Sequence, residues 1–406
     1  MLLRDDGIMW KRLALGSALL ATAVLPASAQ QQQQRDPLGG QFGAIEVALP
    51  PADAAKDVTL MADALSSLPP QRPGVVDTYV LVASFWNDPV FESEAKEAAT
   101  ILGRRFDASD RTVVLSAGRG AGAPRTYPSA TPNNFNAALG RIGKVIDPKE
   151  DLVVVFFTSH GGPDGAVAIQ EKGRMGGAIH AVNLRDSLNL AGINNKLVIV
   201  SACFSGHFIL PFSNDNTVIL TAAAADKTSF GCEPSRDWTF FGDALFNHAM
   251  RGGEKLMSAF DEAKTLIVKW ESDVHGEWAN YPAAQRARQP EPQPSNPQSN
   301  AGDTALAVIS KAESYGRTVS CAAHLSFALD RAKTGRPLKG VSNPGAIESA
   351  LSAAQGRASA EGSSRGHTQQ DTAKLIAVVS ASILQAYNAQ QVSDVTSHAE
   401  ACMAGP

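Results

Sequence analysis

Five short apolar segments constrain the fold of this 406-residue chain more than any other feature. They are rich in β-branched residues, show no polar alternation, and are too short for typical helices. Strands with this pattern are buried on both faces, as in a parallel sheet covered by helices. We therefore predict an α/β fold whose mainly parallel sheet is flanked by helices on both faces. The segments are Thr78–Ser84, Thr112–Leu115, Asp151–Ser159, Lys196–Ala202 and Thr217–Ala222.

Helical patterns lie between and after these strands. Thr131-Pro132 has the composition of a helix start, with Thr131 as the N-cap and proline in the first turn. Beyond the proline- and glutamine-rich segment Gln285–Gly302, which we expect to be an extended surface connection, the chain becomes alanine-rich. We predict a helical C-terminal region over residues 303–406. The predicted helices are Phe91–Phe106, Val182–Leu190, Thr239–Met250, one capped by Asn343-Pro344, and Asp371–Tyr387.

The N-terminal residues have the pattern of a signal peptide. Basic residues precede the apolar run Leu13–Leu25, and Pro26-Ala27-Ser28-Ala29 provides a small-x-small cleavage site. We predict a signal peptide over residues 1–29, a flexible segment over 30–76, and a periplasmic or secreted protein with no membrane attachment after cleavage. An uncleaved membrane anchor is the alternative interpretation.

The charge balance argues against a nucleic-acid partner. The chain has 36 Lys and Arg against 40 Asp and Glu, which gives a formal net charge of -4. Nucleic-acid-binding proteins usually show a basic patch or stripe, and none stands out along this sequence. We predict no nucleic-acid partner.

Two predicted strands end in reactive residues. Asp151–Ser159 leads directly into His160-Gly161, and Lys196–Ala202 leads directly into Cys203. Because ligands bind beyond the carboxyl ends of parallel strands, we expect both side chains to face one crevice. A thiol beside an imidazole is an activated nucleophile. The amides of Gly161 and Cys203 would suit an oxyanion hole. Taken singly, Cys203 is also compatible with an inert core thiol, and His160 with a structural histidine.

Three longer motifs carry a family resemblance. They are FFTSHGGPDG (156–165), VIVSACFSGHFI (198–209) and ILTAAAADKTSFGC (219–232), the last followed by WTFFGDALF (238–246). With them, the region 77–302 resembles the legumain-type peptidase family, C13 of the caspase-like clan, and especially its bacterial exported members. The resemblance implies a caspase-like fold for residues 77–302, with residues 303–406 as a helical appendage.

The resemblance also implies a cysteine-type endopeptidase that acts on a polypeptide substrate. Cys203 matches the family's nucleophile, His160 its base, and Gly161 its oxyanion-stabilising position. Hydrolysis would pass through a thioester at Cys203, and neither a cofactor nor a metal is expected. Ser229 and Asp243 match positions that line the pocket for the residue before the scissile bond. A turn hydroxyl and a helix-capping carboxylate are the respective alternatives.

The sequence departs from legumain itself at recognition positions. The stretch after Trp86 lacks the family's arginine, and Phe204 follows the cysteine where the family has glutamate. Asparagine specificity is therefore not expected to carry over from the family. Asp88 matches an asparagine that orients the catalytic histidine in the family, and a carboxylate has the chemistry for that role. A loop-capping aspartate is the alternative.

The four cysteines allow three pairings if two disulfides form, but a catalytic thiol must stay free. If Cys203 is that thiol, at most one bridge forms among the other three. We expect Cys321 to pair with Cys402, because both lie in the C-terminal helical region, and Cys232 to be a buried thiol.

Other interpretations stay open. The family includes enzymes that pass the acyl group to an amine, so a transpeptidase or ligase is one alternative. A scaffold that binds a protein partner through its C-terminal helices is another. His207 is a rival base, disfavoured by the intervening Ser205-Gly206. A metal held by Cys203, His207, Cys232 and His248 is disfavoured because their spacing fits no zinc pattern.

Overall fold

We analysed a computed structural model of the chain, which describes residues 45–46, 49–119, 124–171, 174–389 and 391–405. The predicted signal peptide lies outside the described residues, as does 30–44 of the segment expected to be flexible. No helix within the described ranges is both long and apolar enough to cross a membrane.

A six-stranded sheet forms the centre of the fold, in the order β3-β2-β4-β7-β8-β9. All neighbouring strands run parallel except β9, which is antiparallel to β8. The mainly parallel α/β sheet predicted from the apolar segments is therefore confirmed. The strands of this sheet are β2 (Thr78–Ser84), β3 (Thr112–Ser116), β4 (Leu152–Thr158), β7 (Lys196–Ser201), β8 (Thr217–Thr221) and β9 (Gln298–Ala301).

Ten helices of ten residues or more lie in the described part of the chain. Shorter helical turns occur at 109–111, 205–212, 240–251 and 283–286. The helices are α1 (Pro51–Ser66), α2 (Pro89–Arg105), α3 (Pro132–Val145), α4 (Ala181–Leu190), α5 (Leu256–Ala279), α6 (Asp303–Ala312), α7 (Ser314–Lys333), α8 (Pro344–Ser364), α9 (Gln369–Asn388) and α10 (Val392–Met403). As predicted, Thr131 caps α3 by accepting from Asn134 N–H, and Asn343 caps α8.

Burial on both faces explains why the strands lack polar alternation. In β4, Val153, Val155 and Phe157 pack into one hydrophobic cluster, and the alternate side chains pack into a second cluster on the other face. All seven residues of β4 are buried. Helices cover both faces of the sheet. A polar side chain that pointed to either face would therefore be desolvated without a hydrogen bond to compensate.

The segment 30–76 is not flexible throughout, because residues 51–66 form α1. Met61 and Leu68 are buried in the core cluster beneath it. The buried carboxylate of Asp57 accepts a hydrogen bond of 2.7 Å from the backbone N–H of Ser129. Apolar anchors spaced along a polar helix are sufficient to order this part of the segment, and the expectation is corrected for it.

A second, smaller sheet and the edge strand β9 were not predicted. The smaller sheet contains β1 (Ile45–Glu46), β5 (Val167–Glu171) and β6 (Met175–Ile179), in the order β1-β6-β5. The sequence of β6 is MGGAI, whose glycines give no strand signal. The segment expected to be an extended connection ends in β9, whose polar sequence QSNA suits an antiparallel sheet edge.

The C-terminal helices pack on the sheet domain through buried contacts. Ala305, Ile309 and Ala312 of α6 belong to the same hydrophobic cluster as strands β7 and β8. Glu313 forms a salt bridge of 2.7 Å with Arg105 of α2, and both side chains are at most 3% exposed. The region 303–406 is helical as predicted, while the boundary at residue 302 stays a prediction.

The disulfide prediction is confirmed. Cys321 on α7 is bonded to Cys402 on α10, and Cys203 and Cys232 are free. The bridge closes a separation of 81 residues between the first long C-terminal helix and the last. It therefore constrains the unfolded chain and ties α10 to the centre of the helical region.

Candidate active site

His160 and Cys203 follow neighbouring parallel strands. Thr158 of β4 pairs with Ser201 of β7, and the backbone N–H of Ser159 donates to Ser201 O at 3.1 Å just beyond the strand ends. The two predicted catalytic residues therefore leave the sheet side by side, at its carboxyl edge. Both residues are partly exposed. The arrangement is the one that the strand pattern predicted.

Gly161 lies directly against the backbone of Cys203. A Cβ atom at this position would overlap the carbonyl group of Cys203, so no other residue fits here without movement. Within the described residues, neither the Gly161 N–H nor the Cys203 N–H donates a hydrogen bond to a protein group. Two adjacent amide donors without intramolecular acceptors are what an oxyanion hole requires.

The backbone turns sharply after the cysteine. Phe204 has φ 57°, a left-handed conformation that is uncommon for a bulky residue. Its N–H donates to Lys227 O at 2.7 Å, which holds the turn against the loop that carries Ser229. The thiol of Cys203 then lies 3.2 Å from the backbone nitrogen of Ser229 and 3.6 Å from its hydroxyl oxygen. The amide and the hydroxyl of Ser229 therefore both contact the region around the sulfur.

The imidazole of His160 is held between two aromatic rings. Trp86 and Phe91 contact it edge-on, at centroid distances of 4.9 and 5.0 Å. Asp88 Oδ2 lies 3.7 Å from His160 Nε2, and the Asp88 side chain makes no capping hydrogen bond to α2. The carboxylate is therefore available to orient the imidazole, which favours the orienting role over the loop-capping alternative.

Cys232 provides a contrast to Cys203 within the same region. Burial, aided by the nearby charges of Cys203 and Glu94, raises the pKa of Cys232 to about 12. A thiol with such a pKa carries almost no thiolate at neutral pH and is a poor nucleophile. Cys232 was expected to be a buried thiol; it is partly exposed in the structure, although its raised pKa still makes it unreactive.

Glu94 is a buried residue of this region that the sequence analysis missed. It lies on α2, is fully buried, and accepts from the backbone N–H of Thr239 at 2.8 Å. Burial raises the pKa of its carboxyl group, while the hydrogen bond from the Thr239 N–H opposes the shift. Thr158 and Ser201, which end the strands before His160 and Cys203, lie near this carboxyl group. Glu94 is therefore packed close to both strand ends and bonds the loop before 240. One feature of the sequence could have indicated its burial. Glu94 lies on the same apolar face of α2 as Ala98 and Ile101.

We expect Glu94→Ala to lower the free energy of unfolding by about 2–4 kcal/mol, because it leaves a cavity and unpaired polar groups. Glu94→Gln should cost much less, since its amide has the shape of the protonated acid that burial favours. Chemical denaturation of both variants measures the difference. Equal losses for the two variants would contradict this account of Glu94.

Asp243 contacts a histidine next to the C-terminal helices. Its Oδ1 lies 2.8 Å from Asn247 Nδ2 and 3.5 Å from His248 Nε2. The other ring nitrogen of His248 bonds Asp394 of α10 at 2.5 Å. Within the described residues, no hydrogen bond or ion pair joins Asp243 to Cys203, His160 or Ser229. The structure thus brings His160, Gly161, Cys203 and Ser229 together, and it engages Asp243 elsewhere.

The His248 pair predicts a loss of stability at alkaline pH. Burial disfavours the charged imidazole, but Asp243 and Asp394 outweigh it and raise the pKa of His248 to about 9. A histidine whose pKa rises on folding stabilises fully below its unfolded pKa of about 6.5. That contribution is lost as the pH rises through about 9, and it amounts to at most about 3 kcal/mol.

Urea denaturation at pH values between about 6.5 and 10 tests this prediction. The wild-type protein should lose stability across that window, whereas His248→Gln should start less stable and show a flatter profile. His367→Gln, which removes a different imidazole–carboxylate contact to Asp107, is the matched control and should keep the wild-type slope. A His248→Gln profile as steep as the wild-type profile would contradict the assignment.

The rival base is exposed. His207 lies on the helical turn Ser205–Phe208, against Gly165. A base on this turn lacks the aromatic enclosure that fixes the imidazole of His160, so the geometry favours His160.

A family comparison is consistent with this geometry. The model of the peptidase C13 family matches residues 122–283, which include His160, Gly161, Cys203, Ser229 and Asp243. This part of the chain is similar to the peptidase C13 family. A search of curated proteins finds no match.

The family match supports a cysteine-peptidase type of function, which implies a polypeptide as substrate. The matched region is shorter than the 77–302 over which the sequence resembles the family. Trp86, Asp88 and Glu94 lie outside the match, although Asp88 and Trp86 contact His160 in the fold.

Proposed function

We propose that this chain is an exported cysteine endopeptidase that hydrolyses peptide bonds through a thioester at Cys203, with His160 as the general base. One observation carries the proposal. The Cys203 thiol follows the strand beside His160 and accepts a hydrogen bond from the Ser229 amide. The other free thiol, Cys232, has a pKa raised to about 12 and is therefore a poor candidate for the nucleophile.

In the first half of the reaction, His160 takes the proton of Cys203, and the thiolate sulfur attacks the scissile carbonyl carbon. The oxyanion that forms would accept from the N–H groups of Gly161 and Cys203. The tetrahedral intermediate then collapses. The C–N bond breaks, the leaving amine takes the proton held by His160, and a thioester remains on Cys203.

In the second half, water attacks the thioester. His160 removes a proton from the water, and the same two amides stabilise the second oxyanion. The C–S bond then breaks to release the carboxylic acid, and the leaving sulfur of Cys203 takes the proton held by His160. Asp88 would hold the imidazole in place through both halves and stabilise its charged form. Trp86 and Phe91 limit rotation of the ring, which keeps His160 oriented between the two steps.

For substrate binding, the proposal assigns Ser229 a role near the residue that precedes the scissile bond. Its amide and hydroxyl both lie within 4 Å of the Cys203 sulfur, where that residue would sit. Asp243 is proposed for the same pocket on the family resemblance alone. Its contacts with Asn247 and His248 favour a supporting role for its carboxylate.

Export is proposed from two features. The sequence of residues 1–29 has the pattern of a signal peptide, which predicts a periplasmic or secreted protein. The Cys321–Cys402 disulfide supports an oxidising compartment, because such bonds rarely persist in the cytosol. Fractionation of cells that express the full chain tests this part, and a cytoplasmic product with an intact N-terminus would contradict it.

A library of fluorogenic peptides that vary at the residue before the scissile bond tests the activity. We expect hydrolysis by the wild-type protein, none above background by Cys203→Ala, and retained hydrolysis by Cys232→Ala. Added amine nucleophiles separate hydrolysis from transfer, because a transpeptidase would form the amide adduct in preference to the acid. Undiminished cleavage by Cys203→Ala would overturn the proposal.

A further inference from the structure

Three ionisable side chains converge where the last helix meets the sheet domain. Glu254 lies in the turn before α5, Glu262 lies on α5, and His398 lies on α10. One potential ligand atom from each lies within 4.8 Å of the other two. His398 Nε2 is 3.6 Å from Glu262 Oε1, which is too long for a hydrogen bond but close to the spacing of two ligands on one metal ion.

Two of these atoms have no hydrogen-bond partner in the described part of the chain. His398 Nε2 and Glu254 Oε2 are both buried without a hydrogen bond, although His398 Nε2 is within ion-pair distance of Glu262, and His398 is only 2% exposed. Nearly all buried polar atoms in folded proteins find a partner. An unpaired imidazole nitrogen and an unpaired carboxylate oxygen in the same pocket therefore indicate a ligand that bonds to both.

A glycine keeps the space between these groups open. A Cβ atom at Gly252 would overlap the Glu254 carboxylate and the ring of His398. The backbone of Gly252 has φ -77°, which any residue can adopt. A larger residue at this position would therefore be disfavoured only by the overlap of its side chain with these groups. The next residue, Gly253, packs against the sulfur atoms of the Cys321–Cys402 disulfide, which fixes the turn that carries Glu254.

The neighbouring side chains of His324 and Arg317 do not supply the missing hydrogen bonds. The ring of His324 contacts His398 edge-on at 5.2 Å, but its Nδ1 is directed at Ser320 O at 3.0 Å. Arg317 is a nearby cation, and its Nε donates to Gly253 O at 2.8 Å. The pocket thus holds two carboxylates and one imidazole, a set of donor atoms that suits a divalent cation.

We propose that Glu254, Glu262 and His398 bind a divalent metal ion of the Zn²⁺ type, which clamps α10 to the sheet domain. One imidazole nitrogen and two carboxylate oxygens are a donor set that Zn²⁺ accepts, with water completing a tetrahedral shell. The ion would join residues separated by more than a hundred positions. Its expected effect is on stability, and it is independent of the peptidase proposal.

The experiment uses the full chain with Cys203→Ala and Cys232→Ala as background, because free thiols would also bind Zn²⁺. The protein is stripped with a chelator, titrated with Zn²⁺ or Ca²⁺, desalted, and analysed for metal content and melting temperature. We expect about one Zn²⁺ per chain and a rise in melting temperature of about 3–6 °C at a hundredfold excess over the dissociation constant. Ca²⁺ should have a smaller effect because of the imidazole ligand.

Three variants test the ligand assignment in that background. Glu262→Gln, His398→Gln and Gly252→Ala should each weaken Zn²⁺ binding by more than the about 10–100-fold that outer-shell changes cost. Glu262 is partly exposed, so its variant should fold even if His398→Gln does not. His275→Gln is the matched control, because it removes an exposed His–Glu pair on the same helix and should leave binding unchanged.

Retention of less than about one-tenth of an equivalent of Zn²⁺ by the background protein would overturn the proposal. Equal binding by the background protein and Glu262→Gln would also overturn it. Loss of binding only in His275→Gln would show that the surface pair is the metal site, with the same consequence.

Discussion

A chain that ends at Gly302 should not yield a folded, soluble protein. The truncation removes Ala305, Ile309 and Ala312 from a core cluster shared with the sheet. It also leaves the guanidinium of Arg105 buried without the carboxylate of Glu313, and breaking such a pair costs about 3–5 kcal/mol. Whole domains are stable by only about 5–15 kcal/mol, so the loss of both contributions is prohibitive.

Expression of the truncated chain, followed by a denaturation curve of any soluble product, tests this prediction. Co-expression of residues 303–406 as a separate chain should partly restore solubility, because it returns both the apolar contacts and the carboxylate of Glu313. A soluble 1–302 chain that unfolds cooperatively on its own would contradict the prediction. It would show instead that the C-terminal helices are an appendage.

Replacing His160 with alanine should lower kcat/KM by about 10²–10⁴-fold, because general acid–base catalysis contributes that much. The fold should be unaffected, since the His160 side chain is 38% exposed and lies at the surface of the crevice. His207→Ala is the matched control, because His207 is exposed and only four residues from Cys203. Asp88→Ala should cause a smaller decrease, since Asp88 acts only by positioning the imidazole.

Kinetics with a peptide identified in the library screen provide the measurement, together with a thermal melt to show that each variant is folded. If His207→Ala is the variant that loses activity and His160→Ala is not, the base has been assigned to the wrong histidine. Equal decreases for Asp88→Ala and His160→Ala would indicate that the carboxylate does more than orient the ring.

The central sheet was predictable because strands buried on both faces have continuous apolar sequences. β2 coincides with the predicted Thr78–Ser84, and the other parallel strands differ from prediction by one or two residues. Helix starts with a capping side chain, such as Thr131 and Asn343, were predictable for a similar reason, since the cap is local. The neighbouring positions of His160 and Cys203 were predictable from the ends of their strands, whereas their catalytic roles came from the family resemblance and stay a prediction.

The unpredicted elements depend on partners distant in sequence. β9 has a polar sequence and forms a strand only because it pairs with β8 at the edge of the sheet. β6 is glycine-rich, so its sequence does not indicate a strand. Helix α1 was assigned to a flexible segment because its anchors are few. Glu94 was missed because its role depends on its neighbours in the fold. Thr239, Ser201 and Thr158, which surround its carboxyl group, are distant from it in the sequence.

The proposed metal site at Glu254, Glu262 and His398 could not have been predicted from the sequence either. Glu254 and Glu262 are separated from His398 by more than a hundred residues, and acidic residues on helices are common. Their convergence depends on the packing of α10 against the turn at Gly252, which the Cys321–Cys402 bridge helps to fix.

The rate at which iodoacetamide labels each free thiol tests the central claim most directly. Peptide mapping of the unfolded, quenched protein gives separate rates for Cys203 and Cys232 at about pH 7. The account predicts that Cys203 reacts at least about 100-fold faster than Cys232, whose thiol is almost fully protonated. It also predicts a slower Cys203 reaction in His160→Ala. Cys203 that labels no faster than Cys232, at a rate insensitive to His160, would contradict the assignment.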